Sequence, residues 1–89
     1  MRAVITVVGK DTVGIIAKVS GYCSEHKINI VDISQSVLSD LFCMIMIVDI
    51  KNSDIHFSDL VDRLDMFGKT LGLDIHTMHE DIFNSMHKI

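Results

Sequence analysis

The residues best placed to do chemistry lie in one short segment, Gly9-Lys10-Asp11-Thr12-Val13-Gly14, between a β-branched run and a stretch of helical periodicity. Gly9 and Gly14 let a backbone come close to a ligand, and free amides at a helix start attract an anion. The Gly9…Gly14 spacing imitates the opening of a phosphate-binding P-loop. Ile15 and Ile16, however, stand where that loop needs Lys and Ser or Thr. Nucleotide binding is therefore not expected. Asp11 would oppose a phosphate but could hold an ammonium group. Amides for a carboxylate and an acid for an ammonium match the two ends of an amino acid. Residue types alone favour the plainer role, in which Asp11 or Thr12 caps the helix.

Other reactive side chains are less organised. Four of the five histidines, His56, His76, His79 and His87, fall in the last part of the chain without an H-x-x-x-H pair. On a strand, His76 and His79 would face opposite sides, so no metal site is expected. His26 falls on the apolar face of a helical pattern and reads as half-buried. Cys23 and Cys43 are far apart, each in an apolar stretch, and read as buried thiols in a reducing compartment. Met44, Met46 and Met66 read as core filler. Ser20, Ser34 and Ser36 adjoin no histidine in a recognisable order. No catalytic residue, cofactor or metal is expected, and the chain does not read as an enzyme.

The elements that must hold the loop follow from changes in apolar period. Ala3 to Val8 reads as a strand ending at Gly9. Ile15, Ile16, Val19, Tyr22, Cys23 and His26 recur at helical spacing. From Ile28 the pattern becomes strand-like, with a change of face near Ile30 and Val31 that suggests a bulge. Ser39-Asp40 suits a hairpin turn, and a third strand runs from about Leu41 to Ile50. Asn52-Ser53-Asp54 offers turn and N-cap chemistry. A second helix follows, with Phe57, Leu60, Val61, Leu64, Phe67 and Leu71 inward, and Gly72 ends it. Leu73 to Met78 alternates as a fourth strand, and Asp81 to Ile89 reads as a short docking helix. Strand, helix, strand, strand, helix, strand, with right-handed crossovers, predicts an α+β, ferredoxin-like βαββαβ sandwich. Its four-stranded antiparallel sheet would carry both main helices on one face. The third strand, Leu41-Phe42-Cys43-Met44-Ile45-Met46-Ile47-Val48, is apolar on both faces, and a second copy of the chain is the simplest cover for the side the helices leave open.

Composition narrows the function class. The 89 residues suffice for one domain, 1–89, and 48% hydrophobic content supports a globular core. Twelve acids against eight bases give a charge of −4, without the clustered basic footprint of a nucleic-acid binder. Met1-Arg2-Ala3 and the run Val4–Val8 do not suit a signal peptide. Leu41–Val48 is too short to span a bilayer. A cytoplasmic protein without membrane or nucleic-acid partners is expected.

Two segments carry a family resemblance. Val7-Val8-Gly9-Lys10-Asp11-Thr12-Val13-Gly14-Ile15-Ile16-Ala17 resembles the opening of ACT domains, and Asn29-Ile30-Val31-Asp32-Ile33-Ser34-Gln35 resembles their second strand. The resemblance covers essentially the whole chain and is closest to small standalone ACT-domain proteins similar to the glycine cleavage regulator. It implies a regulatory, allosteric module, a homodimer joined edge to edge, with an amino acid held at the interface and an effect on a separate regulated protein. The implied ligand-binding positions are Gly9, Asp11, Gly14 and Ile15, with Asn29, Ile30 and Asp32 contributed across the interface. Edge-to-edge and face-to-face dimers both remain open, and a tetramer would satisfy both. The alternative is a protein–protein interaction module without a small ligand. Rivals on the same fold lack their chemistry: the first loop has no cysteine pair for a soft metal and no arginine for a phosphate, and Phe42 alone makes no base-stacking platform.

Overall fold

The computed structural model describes residues 1–10 and 13–86. Its elements follow in the order β1 (Arg2–Lys10), α1 (Ile15–Glu25), β2 (Asn29–Leu38), β3 (Leu41–Asp49), α2 (Phe57–Thr70), β4 (Leu73–His79) and α3 (Glu80–Met86). The strands form one antiparallel sheet in the order β2-β3-β1-β4, the ferredoxin-like arrangement.

Alternation along the strands sorts side chains to two faces. Ala3, Ile5 and Val7 of β1, Phe42, Met44, Met46 and Val48 of β3, and Leu73 and Ile75 of β4 point to the helices. They form one core with Ile15, Val19 and Cys23 of α1 and Leu60 and Leu64 of α2. The expected bulge is present: the pairing of β2 with β3 shifts between Ile30 and Asp32, leaving Val31 as the extra residue. Ile30 and, beyond the bulge, Ile33, Gln35 and Val37 therefore share the helix side. Asn29, Asp32, Ser34 and Ser36 share the other.

Ser39 turns the β2–β3 hairpin with φ of +60°, and Gly72 follows α2 at +71°. The start of α2 departs from expectation. Its N-cap is His56, without a side-chain capping bond, while Ser53 Oγ accepts the Ile55 amide at 3.1 Å. The Asn52–Asp54 segment thus makes a turn ahead of the helix. Close packing decides two glycines: a Cβ at Gly68 would lie 2.7 Å from Ile75 Cγ1 and 2.9 Å from the Leu73 carbonyl oxygen, and one at Gly9 would lie 2.6 Å from Leu73 Cδ2.

The expected tail helix is present over Glu80–Met86, up to the last described residue. α3 packs on β1 and β4, but Ile82 and Met86 remain exposed; residues 87–89, with His87 and Ile89, lie outside the described residues. No helix among the described residues is long and apolar enough to cross a membrane.

Candidate functional site

α1 begins where the chain turns in from β1. Gly14 is its N-cap at φ of +87°, a left-handed conformation that suits glycine. Its carbonyl accepts the Lys18 amide at 2.9 Å, so the amides of the first turn before Lys18 have no acceptor within the helix. Ile15 is buried beneath this turn, while Ile16 lies at its surface.

The end of β2 runs past that helix start. Gly14, Ile15, Ile16 and Ala17 face Gln35 and Val37 of β2 and Phe42 of β3 across a cavity of about 270 Å³. Pockets for drug-sized ligands span roughly 300–1,000 Å³, so this one suits a smaller molecule. Its walls are apolar except for exposed backbone and the Gln35 amide. Gln35 was not foreseen as a site residue. The signal available was its place among Ile33, Gln35 and Val37, where a polar residue interrupts an apolar face.

The expected positions divide into two groups. Gly14 and Ile15 line the cavity, and Gly9 lies near it at the end of β1, where its missing side chain is explained by the Leu73 packing. Asp11 lies outside the described residues, as does Thr12. Asn29, Ile30 and Asp32 begin β2, opposite Asp49 to Ile47, whereas Leu41 at the other end of β3 pairs with Lys10. Within one chain the two groups therefore occupy opposite ends of the sheet. Ile30 is half-buried on the helix side; Asn29 and Asp32 are exposed on the other, and Asp32 Oδ1 accepts the Ile33 amide at 2.8 Å.

The other candidate chemistry is locally accounted for. His26 Nδ1 lies 3.1 Å from Asp54 Oδ1, and the Asp54 amide donates to the His26 carbonyl at 3.4 Å, joining the end of α1 to the turn before α2. The His26 ring also meets Tyr22 in a tilted contact at 4.7 Å, and Tyr22 meets Phe67 at 4.9 Å. Burial raises the Tyr22 phenol above its ordinary range, with Arg63 opposing. His76 and His79 do face opposite sides of β4: His76 sits beside Asp74, and His79 Nδ1 accepts the Asp81 amide. Among the described residues no three histidine, cysteine or acidic side chains gather as a metal site. Cys23 is buried, and its thiol is pushed up to about 11 by burial, which makes it a poor nucleophile. Cys43 departs from expectation: it is only half-buried, because it points to the side of β3 away from the helices.

The arrangement is that of a ferredoxin-like α+β domain with a glycine-started first helix over the end of β2. Residues 2–78 match the model of the ACT domain, and the chain belongs to that family. A UPF0237 protein of Clostridium perfringens is 53% identical over 89 residues, the whole of both chains. A solved ACT domain protein from Streptococcus pneumoniae is 43% identical and superposes with a TM-score of 0.82 over 93% of each chain. A putative glycine cleavage system transcriptional repressor, 23% identical, shares the fold at a TM-score of 0.72; the match covers 85% of this chain and 43% of that one. Domains of this family are typically small-ligand-sensing regulatory modules.

Proposed function

We propose that the chain is a ligand-responsive regulatory module that binds an amino acid between two copies joined at their β2 edges and acts on a separate protein, without catalysis of its own. The observation that carries this is the β2 edge itself. It is ten residues long, and Val31, Ile33, Val37 and Leu38 are all exposed along it. A long apolar edge strand is a template for pairing, and natural monomers blunt such edges. The opposite edge, β4, is shorter and carries Asp74, His76 and His79.

Antiparallel pairing of β2 with a second β2 about a two-fold axis has two consequences. The first is reach: the partner's Asn29–Asp32 segment comes beside the end of β2 that borders the cavity, bringing its backbone and Ile30 to the cavity side while Asn29 and Asp32 stay on the outer face. The second is facing. Residues opposite each other in a sheet share a face, so Ile33, Gln35 and Val37 meet their counterparts and extend the apolar wall of the cavity. An amino acid there would direct its carboxylate to the first turn of α1. Asp11 and the start of the partner's β2 would meet its ammonium end. Binding at the seam stabilises one arrangement of the pair, and such coupling is worth typically about 1–3 kcal/mol.

A thermal-shift screen of the twenty amino acids, on the wild type and on Asp11→Ala and Gln35→Ala, tests this. Ligand at a hundredfold excess over Kd adds about 2.7 kcal/mol, a rise of roughly 10–20 °C for a domain of this size. One amino acid, or a related group, raises Tm in the wild type, and the shift shrinks in both variants. No shift with any amino acid would leave the β2 edge as a protein-interaction surface and overturn the ligand reading.

A further inference from the structure

The face of the sheet turned away from α1 and α2 carries a second apolar surface, distinct from the β2 edge. Leu41, Cys43, Ile45 and Ile47 run down it along β3, with Val8 beside them on β1. Leu41 is 40% exposed, Ile45 41% and Val8 37%, although all three sit in the two central strands of the sheet. Polar side chains flank the stripe: Ser34 and Ser36 on β2, Thr6 and Lys10 on β1, and Asp74 and His76 on β4. An apolar stripe flanked by polar side chains is the anatomy of a protein interface.

The described chain covers only one corner of this face. Val4, which alternates with the core-facing Ala3 and Ile5, is buried where α3 packs on β1 and β4. Seven helical residues reach only about 10 Å, against strands of about 30 Å. The outer side of α3 leaves Ile82 and Met86 56% and 65% exposed at the margin of the uncovered area.

We propose that a second copy of the chain covers this face, sheet against sheet, with the exposed apolar side chains of α3 closing the margin against the partner. Area and symmetry point to this occupant. Four strands at about 4.8 Å spacing and about 30 Å length give a projected face of roughly 570 Å². α3 takes up one corner of this face, and its own exposed flank stands in for that area in the contact. With side-chain relief, the surface approaches the roughly 800 Å² per partner of a standard stable interface. The stripe runs down the middle of the face, so a two-fold axis between the sheets lays stripe on stripe at the ~10 Å separation of packed sheets. Because α3 sits off centre, the same rotation sets it beside the partner's sheet and not against its own counterpart. This contact is independent of any ligand. Together with β2 edge pairing it gives a tetramer.

Light scattering after gel filtration tests it on the wild type, Ile45→Asp, the milder Ile45→Ser, and an Ile82→Ser/Met86→Ser double variant, with circular dichroism to verify folding. Ile45 already meets solvent in the single chain, so a folded variant is expected. The mass halves in Ile45→Asp, and the other two variants dissociate at protein concentrations at least tenfold higher than the wild type. Alkylation of Cys43, which sits in the stripe, accelerates at least tenfold in Ile45→Asp. Unchanged mass and unchanged Cys43 alkylation in folded Ile45→Asp would overturn the proposal. So would a wild type no larger than a dimer that is split by Ile33→Asp on the β2 edge but not by Ile45→Asp.

Discussion

At the scale of single residues, identity and environment diverge most at the cysteines. Both lie in apolar stretches of sequence, yet Cys23 points into the core from α1 while Cys43 points outward from β3. Period-2 alternation assigns opposite faces to Cys43 and its buried neighbours Phe42 and Met44, but which face the helices cover is a tertiary fact. Cys43 is therefore expected to alkylate well ahead of Cys23, which reacts only on unfolding; mass spectrometry of partly labelled protein checks the order. Linkage adds a pH dependence. The Cys23 thiol ionises near 9 in the unfolded chain and at about 11 in the fold. The fold therefore prefers the protonated thiol, whose contribution is whole below pH 9 and is lost as pH rises toward 11. Denaturant midpoints measured from pH 8 to 10.5 should fall, and fall less in Cys23→Ala after allowance for its lower starting stability. Gly9 shows a similar divergence. Its place in the loop invites a ligand role, and its close packing on Leu73 supplies a second reason for a glycine there.

Elements were easier to anticipate than their margins. The helical stripe from Phe57 to Leu71 and the change of face at Val31 both reported local geometry, since each depends only on side-chain period. The α2 cap did not. Asn52, Ser53 and Asp54 are all competent caps, and the choice of His56 followed from where the chain had to enter α2 from β3. Gly68 was silent in the sequence, because a glycine on the inner side of a helix signals nothing until the facing strand is known. Here it lets α2 approach β4 to within contact of the Leu73 carbonyl oxygen. Gly68→Ala would gain helix propensity of about 1 kcal/mol but overpack this seam, at a cost of about 1–3 kcal/mol. The expected net outcome is a fold weaker by up to about 2 kcal/mol, read from urea midpoints at unchanged m-value.

For the whole molecule, the decisive feature is that one sheet leaves two apolar surfaces without cover among the described residues, its β2 edge and its outer face. Ile33 lies near the middle of β2, where two-fold pairing would set it close to its counterpart. Ile33→Asp would place like charges together across that seam, and the pair is expected to dissociate with a Kd at least tenfold higher, about 1.4 kcal/mol or more. Sedimentation equilibrium checks this. A coupled loss of any amino-acid thermal shift would tie the cavity to the edge contact.

What the sequence by itself determined was whatever rests on local period and composition. That includes the strand and helix order, the bulge, the glycine at the start of α1, and the absence of P-loop, paired-cysteine and basic-patch chemistry. Two matched segments also carried the family. Only the tertiary structure decided which side chains share a space. It joined Gln35 and Val37 to Gly14 and Ile15, set Asn29 and Asp32 on the outer face at the far end of β2, and left Cys43 half-buried and Ile45 exposed. The physical reason is that a strand's alternation says which residues lie together on a side. Which side is covered, and by what, depends on helices that arrive from elsewhere in the chain and pack on one face only.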